Sequence, residues 1–233
     1  RCGVLWNAEG SRLEPERDLY FPDSFGELYG RVTALLGLRP GADEHKVQWM
    51  STTGEPRFAD VFRDLMTCGG GGWPRFERSY IDVGRLTQGG FSAKFYKALG
   101  LSDLAEIEAA AKPDIAASLQ KGMEDCVIDL IPAGGDLAVA GGLFFNVLLV
   151  AALEQSGKWN RVFAQPAAGN SGTAIGAVYY ASNVIFREPT PPGLDLLLGP
   201  EYRAEEIKKV LENCKLRFRY LLTTEELIPA AVR

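Results

Sequence analysis

Residues 136 to 172 read DLAVAGGLFFNVLLVAALEQSGKWNRVFAQPAAGNSG, and this stretch decides the fold. Asp136 to Ala140 is the short apolar run of a buried strand, and Gly141-Gly142 makes the turn after it. Leu143 to Glu154 is an almost wholly apolar helix that stops at Ser156-Gly157. Arg161 to Gln165 reads as a second buried strand, Pro166 to Gly172 as a loop, and Thr173 to Ser182 as a second helix. Strand, loop and helix repeated in this way predict parallel strands. Both glycine loops then leave the carboxyl ends of neighbouring strands, where open α/β sheets bind ligands.

On the amino-terminal side, Val4 to Asn7 and Leu19 to Phe21 read as short strands around a Glu9-Gly10-Ser11 turn. A helix starts at Pro22-Asp23-Ser24, with Phe25, Leu28, Tyr29, Val32, Leu35 and Leu36 on one face and Gly37 as its stop. Residues 39 to 57 read as irregular, and Asp60 to Met66 as a short helix. Gly69 to Gly72 mark a turn; no Lys-Ser/Thr follows, so this is not a phosphate-binding loop of the Walker type. Phe76 to Val83 reads as a strand, and Phe91 to Leu99 and Leu104 to Ala111 as helices. A long helix from Pro113 carries Ile115, Leu119, Met123, Cys126 and Leu130 as its apolar stripe, until Pro132 and Gly134-Gly135 end it. Beyond Pro189 to Pro192 lies a helix around Glu201 to Asn213, with Glu205 and Lys209 four apart. Thr223 and Glu226 then form a capping box seven residues before the last position. The sequence opens directly in strand-like residues, and it reads as a region of a longer protein.

Composition narrows the function. The 233 residues are 46% hydrophobic and 24% charged, with a net charge of −5 and no basic run, which speaks against a nucleic-acid partner. The apolar stretch Leu137 to Leu153 contains Gly141-Gly142 and Asn146 and falls short of the ~20 residues of a membrane span, so no membrane partner is expected. Cys2, Cys68, Cys126 and Cys214 make no C-x-x-C pair and are expected to be buried free thiols in a reducing, cytoplasmic setting.

In the first glycine loop, glycines let a ligand approach the backbone, and free N–H groups at a helix start favour an anion. Asn146, one turn into an apolar helix, needs partners from the backbone or from a ligand, and helix–strand packing alone would equally explain the glycines. In the second loop Asn170 and Ser171 sit at the mouth, with Ser171 placed to cap the helix. His45, the one histidine, lies among Asp43, Glu44 and Lys46 and reads as part of a solvated loop.

Six segments in order resemble the carbamoyltransferase family of the nodulation and antibiotic O-carbamoyltransferase type. Leu13-Glu14-Pro15 with Tyr20 to Tyr29 resembles its "LEP…HFPxSLGLLY", while Glu44-His45-Lys46-Val47 and Thr53 to Phe58 resemble parts of the "GEYKVMGLAPYG" region. Val139 to Asn146 resembles "LAGGVALN", Val162 to Gly172 resembles "VFVQPAAGDAG", and Leu198 to Tyr202 resembles "LGPEY". The resemblance implies an α/β, ribonuclease-H-like subdomain of the actin-like ATPase fold, related to the threonylcarbamoyltransferase core. A mixed sheet would be flanked by helices, with helical insertions and a helical C-terminal tail. Residues 1–188 would be mainly the second subdomain, and residues 189–233 a linker and helices leading to a C-terminal domain outside these residues.

The family's chemistry moves a carbamoyl group from carbamoyl phosphate, through carbamoyl-adenylate made with ATP, to a hydroxyl of a small-molecule acceptor. By position, Gly141, Gly142 and Asn146 would line the adenosine part of the site; Gly169, Ser171 and Gly172 would border phosphate and metal; Lys46 would stand at the mouth. The chain departs from the family where Asn170 replaces the aspartate that holds a divalent metal (iron, zinc or manganese), where the family's H-x-x-x-H pair does not occur, and where Met50 to Thr53 replaces "GLAPY". The residues by themselves are therefore expected not to turn over without the rest of the protein. Two other readings stand beside this one: a metal-deficient pseudoenzyme or interaction domain of the same fold, and a relative of the actin-like sugar kinases.

Overall fold

The computed structural model describes residues 1–67, 74–188 and 199–232. They fall into two units, residues 1–190 and 191–233. Gly69 to Gly72 and Pro189 to Pro192, read above as a turn and a linker, lie outside the described residues.

The first unit opens with an antiparallel hairpin, β1 (Gly3–Glu9) and β2 (Arg12–Leu19). The second strand lies earlier than Leu19 to Phe21, because a bulge between Leu5 and Trp6 lets the ladder absorb Pro15, which lacks an N–H. Helix α1 (Phe25–Leu35) follows; the Ser24 side chain caps it, and Leu28, Tyr29 and Val32 are buried as the periodicity predicts. Gly37, at φ +80°, ends the turn.

Residues 39 to 57 are not wholly irregular. They contain α2 (Glu44–Ser51), which buries only Val47 and Ser51 and so lacks a readable apolar stripe. Helix α3 (Ala59–Met66) buries Phe62, Leu65 and Met66. Residues 76–83 are not a strand but two 3-10 turns, Arg78–Tyr80 and Val83–Gln88. Their Glu77 and Asp82 carboxylates take the N–H groups of Ser79 and Gly84 at 2.9 Å each, and this local capping competes with a ladder. Ile81 makes one isolated antiparallel bridge, to Phe91. Helix α4 (Ala93–Ala98) follows. Residues 104–111 form turns rather than a helix, and Leu104 has φ +54°.

Helix α5 (Lys112–Leu130) is the spine of the unit. Ile115, Leu119 and Met123 are buried on it, and α1, α2, α3 and the later α6 (Val147–Gln155) all pack against it. Gly122 gives α3 its close approach: a Cβ there would lie 2.9 Å from the Phe62 Cβ. Phe62 and Phe91 pack on Phe95, edge-on at 5.7 Å and stacked at 4.1 Å between centroids. Each of these rings is fully buried, which is worth about 1.5–3 kcal/mol of transfer free energy.

Cys126 is disulfide-bonded rather than a free thiol, and Cys2 and Cys214 are free but exposed. Cys68 lies outside the described residues.

β3 (Asp136–Val139) and β4 (Arg161–Ala164) pair in parallel, Ala138 opposite Phe163, as the strand–helix repeat predicts. Neither strand is buried throughout as expected. Leu137, Val139, Val162 and Ala164 face the helices, whereas Ala138 and Phe163 stand exposed on the other face. Helix α7 (Thr173–Tyr180) follows β4 and continues into a π-helical stretch, Ala181–Phe186. The molecule is thus of mixed α/β class with small sheets. Among the described residues no helix is long and apolar enough to cross a membrane.

In the second unit, α8 (Ala204–Asn213) starts three residues later than Glu201, after the Glu206 carboxylate has bonded the Arg203 N–H at 2.8 Å. Helix α9 (Thr224–Ala231) begins at Thr223, whose hydroxyl accepts from the Glu226 N–H at 3.3 Å.

Gly54 tests the seating of α5. A Cβ there would run into the Pro113 carbonyl and the Asp114 amide, both backbone. Gly54→Ala is expected to lower the unfolding free energy by about 1–3 kcal/mol, read as a lower urea midpoint at unchanged slope.

Candidate functional site

β3 and β4 end side by side, and their glycine loops are bonded to each other. The Gln165 N–H reaches the Val139 carbonyl at 3.1 Å, and the Gly141 N–H reaches the Ala168 carbonyl at 2.7 Å. Gly141 sits at φ +116°, ψ 154°, a conformation in effect reserved for glycine. Gly169 and Gly172 are required for contact instead. A Cβ on Gly169 would lie 2.8 Å from the Phe145 ring, and one on Gly172 would strike the Ala167 carbonyl.

These loops border a cavity of about 1690 Å³. Gly141, Gly142, Asn146 and Gly172 line it, together with His45 and Gln48 from α2. The N–H groups of Gly142 and Leu143, at the start of a 3-10 turn (Gly142–Phe145), bond no other described residue. The carboxylates along the wall are those of Glu16, Glu27, Glu44 and Asp136, His45 stands with them, and no lysine or arginine lines it among the described residues.

Asn146 breaks the helix expected over Leu143 to Glu154 into that turn and α6. Its side-chain oxygen accepts from the Leu149 N–H at 3.0 Å and caps α6. The same oxygen accepts from Gln120 Nε2 and Gln48 Nε2, each at 3.1 Å, and Asn146 Nδ2 returns a bond to Gln120 Oε1 at 2.8 Å. The Tyr29 hydroxyl donates to that Gln120 oxygen at 3.1 Å, and Gln120 Nε2 reaches Glu124 at 2.7 Å. Asn146 is 8% exposed, so protein groups rather than solvent satisfy its amide. Burial is the main force that pushes the Tyr29 hydroxyl upward, and the nearby Glu124 and Glu44 charges add to it. Burial also raises the Glu124 carboxyl above the ordinary glutamate range, against the Gln120 hydrogen bond and the Lys121 charge.

The remaining candidates lie elsewhere. Lys46 Nζ pairs with Asp43 at 2.8 Å and is not among the residues lining the cavity. Its ammonium is the first of several groups, with Arg39, that hold the Asp43 carboxyl well below the carboxylate range. Asn170 and Ser171 are exposed. Ser171 makes no cap: α7 starts after Gly172 with no side-chain cap bond, and the Asn170 carbonyl instead accepts from the Thr173 hydroxyl at 2.6 Å. His45 lies on a helix and not in a loop. Tyr29, Gln48 and Gln120 were not singled out from sequence as site residues. The one signal for Gln120 was an amide beside the apolar stripe of α5. Among the described residues no group of three or more His, Cys, Asp or Glu is placed to hold a metal ion.

A cleft bordered by two glycine loops at the ends of parallel strands is that of a ligand-binding α/β protein. The family model "Carbamoyltransferase N-terminus" matches residues 2–179, and the chain belongs to that family. An uncharacterized protein of Synechocystis is 29% identical over 95% of this chain and 38% of its own length. The nodulation protein NolNO of Sinorhizobium fredii is 30% identical over 78% of this chain and 26% of its own, and NolO of Bradyrhizobium diazoefficiens 29% over 83% and 35%. The chain thus spans well under half the length of these relatives.

Two measurements probe the network. Asn146→Ala removes a helix cap, two hydrogen bonds of the buried Gln120 amide and the acceptor of half-buried Gln48, so a loss of about 2–4 kcal/mol in urea unfolding is expected; combined with Gln120→Ala the losses should fall short of additive. For Glu124, a raised folded pKa means stability that is full below the ordinary range near pH 4.5 and lost as pH rises through the raised value. Glu124→Gln should therefore flatten that decline, which unfolding titrations from acid to neutral pH will show.

Proposed function

We propose that this chain forms one wall of the substrate cleft of a carbamoyltransferase. The full-length protein would transfer a carbamoyl group from carbamoyl phosphate, through carbamoyl-adenylate made with ATP, to a hydroxyl of a small-molecule acceptor. The observation that carries this is the pair of mutually bonded glycine loops opening on one large cleft, in a chain of this family. Gly141 and Gly142 present backbone without side-chain cover, where a flat adenine or ribose can approach. The free N–H groups of Gly142 and Leu143 suit an oxygen carrying partial negative charge. Asn146 acts from behind, since its amide is committed to Gln120, Gln48 and the cap of α6. Carbamoyl transfer needs the acceptor oxygen to attack the carbamoyl carbon while AMP leaves, and the wall's part is to hold the adenylate end still. Lys46, paired with Asp43, serves the geometry of α2 in this reading rather than the ligand.

A divalent metal does not fit the described donor set, and no step of the proposal runs through one. Asn170 in place of the family's aspartate, exposed and without acidic or histidine neighbours that form a site, favours a second reading: a pseudoenzyme or interaction domain that kept the cleft and lost the metal. Nothing in the site favours a sugar kinase.

The two readings separate in one assay on the full-length protein. A carbamoyltransferase of this kind is expected to exchange labelled pyrophosphate into ATP only when carbamoyl phosphate is present. Gly141→Val, which forces a branched side chain into a glycine conformation at the rim, should leave that exchange, which reads formation of the adenylate, in place and weaken AMP binding to this wall by at least about tenfold. No exchange would sink the adenylate reading, and stoichiometric, tightly held iron or zinc would sink the metal-deficient one.

A further inference from the structure

Gln48 stands half-buried on α2, between the buried amide network and the cavity. Which end of its amide faces the cavity is fixed from two sides. The Leu149 N–H can only donate, so the Asn146 atom that receives it at 3.0 Å is the oxygen. The Glu124 carboxylate, when ionised, can only accept, so the Gln120 atom that reaches it at 2.7 Å is the nitrogen. Both constraints lead to the same pattern, in which Asn146 and Gln120 exchange two bonds. Gln48 must then turn its nitrogen to the Asn146 oxygen, at 3.1 Å, and its oxygen the other way. That Oε1 accepts from no described residue, yet it is not buried without a partner, so it opens on the cavity that Gln48 lines. A carbonyl oxygen has two lone pairs, and Leu149 and Gln120 already occupy those of Asn146. The bond from Gln48 is therefore not needed to satisfy Asn146. Its effect is to hold Gln48 with an acceptor displayed to the cleft.

We propose that Gln48 determines the purine specificity of the cleft, its Oε1 accepting from the exocyclic amino group of adenine. The assignment rests on the cleft being an adenylate site. A ribose hydroxyl rotates and can donate or accept, so it gains little from an acceptor locked in one orientation, whereas the amino group of a base only donates. The base also belongs on this side of the cleft. Carboxylates and no described cation line the wall, and Val4, Leu5, Leu137 and Val139 make an apolar floor. One 3-10 turn separates Asn146, which holds Gln48, from the uncovered backbone of Gly141 and Gly142. Hypoxanthine carries an exocyclic oxygen where adenine carries the amino group. It would set acceptor against acceptor with no proton to share, and a site built around a hydrogen bond rejects such an analogue more strongly than one of altered shape.

The test is equilibrium binding of AMP, of IMP and of purine riboside monophosphate, which lacks the exocyclic group, to the full-length protein. AMP is expected to bind at least about tenfold more tightly than either of the others. Gln48→Leu keeps the bulk of the side chain and leaves Asn146 its other two donors, and it should reduce that preference to about threefold or less. Purine riboside monophosphate that binds the unsubstituted protein as tightly as AMP overturns the proposal, and this arm needs no variant to fold. An AMP preference that survives Gln48→Leu overturns it as well. Gly141→Val separates the two levels of failure. If it weakens AMP binding while Gln48→Leu leaves the preference intact, the role of Gln48 alone fails; if neither variant alters AMP binding, the adenylate cleft fails with it. The carbamoyl amide is the other nitrogen of the adenylate that only donates. AMP lacks it, so a preference measured with AMP belongs to the base.

Discussion

The buried amide pair between Gln120 and Asn146 fixes where the rest of the cleft stands. Each amide both donates to and accepts from the other, and Tyr29 from α1 and Gln48 from α2 bond into the same pair. A buried amide left unpaired costs about 1–3 kcal/mol, so the four side chains hold one arrangement and disfavour sliding. Asn146 also caps α6, and the short turn just before it carries Gly141 and Gly142. The helical half of the unit therefore sets the position of the sheet's loops through hydrogen bonds, which are directional in a way that the surrounding leucines are not.

The glycines of the two loops answer to different constraints. Gly141 is there for its backbone angles, and open space surrounds the place where its Cβ would be. Gly169 and Gly172 adopt ordinary angles but press against Phe145 and the Ala167 carbonyl. A side chain at Gly141 would project into free volume; at Gly172 it would break the loop. The first kind of glycine keeps a surface bare for a ligand, and the second keeps two loops in register so that the bare surface has a fixed shape.

Much of this was legible in the sequence, and the rest was hidden for physical reasons. Helices α1, α3 and α5 carry apolar residues at helical spacing, and the two strand–glycine–helix units carry their own punctuation, so periodicity found them. Helix α2 escaped because it buries only Val47 and Ser51 and is held by docking on α5. Residues 76–83 looked like a strand because their apolar content was visible and the capping by Glu77 and Asp82 was not. The glycine loops could be read as a site, but the residues that hold Asn146 could not: Gln120 lies 26 positions away and Gln48 lies 98. Ser171 illustrates the converse, a good capping residue one position too early for the helix that forms.

The charge along the cleft constrains what it can bind. Glu16, Glu27, Glu44 and Asp136 face it and no described lysine or arginine does, while Lys46, the nearby cation that sequence pointed to, is committed to Asp43. A polyphosphate placed against this wall would meet several carboxylates and only a few free N–H groups, and like charges in a partly enclosed site repel strongly. The adenosine end of a nucleotide carries no such charge and suits bare glycine backbone and apolar floor. In the proposed enzyme, this acidic wall therefore faces the uncharged half of the ligand. The cations that offset phosphate must come from residues that are not on it, and a chain spanning 26–38% of these relatives leaves them room elsewhere in the polypeptide.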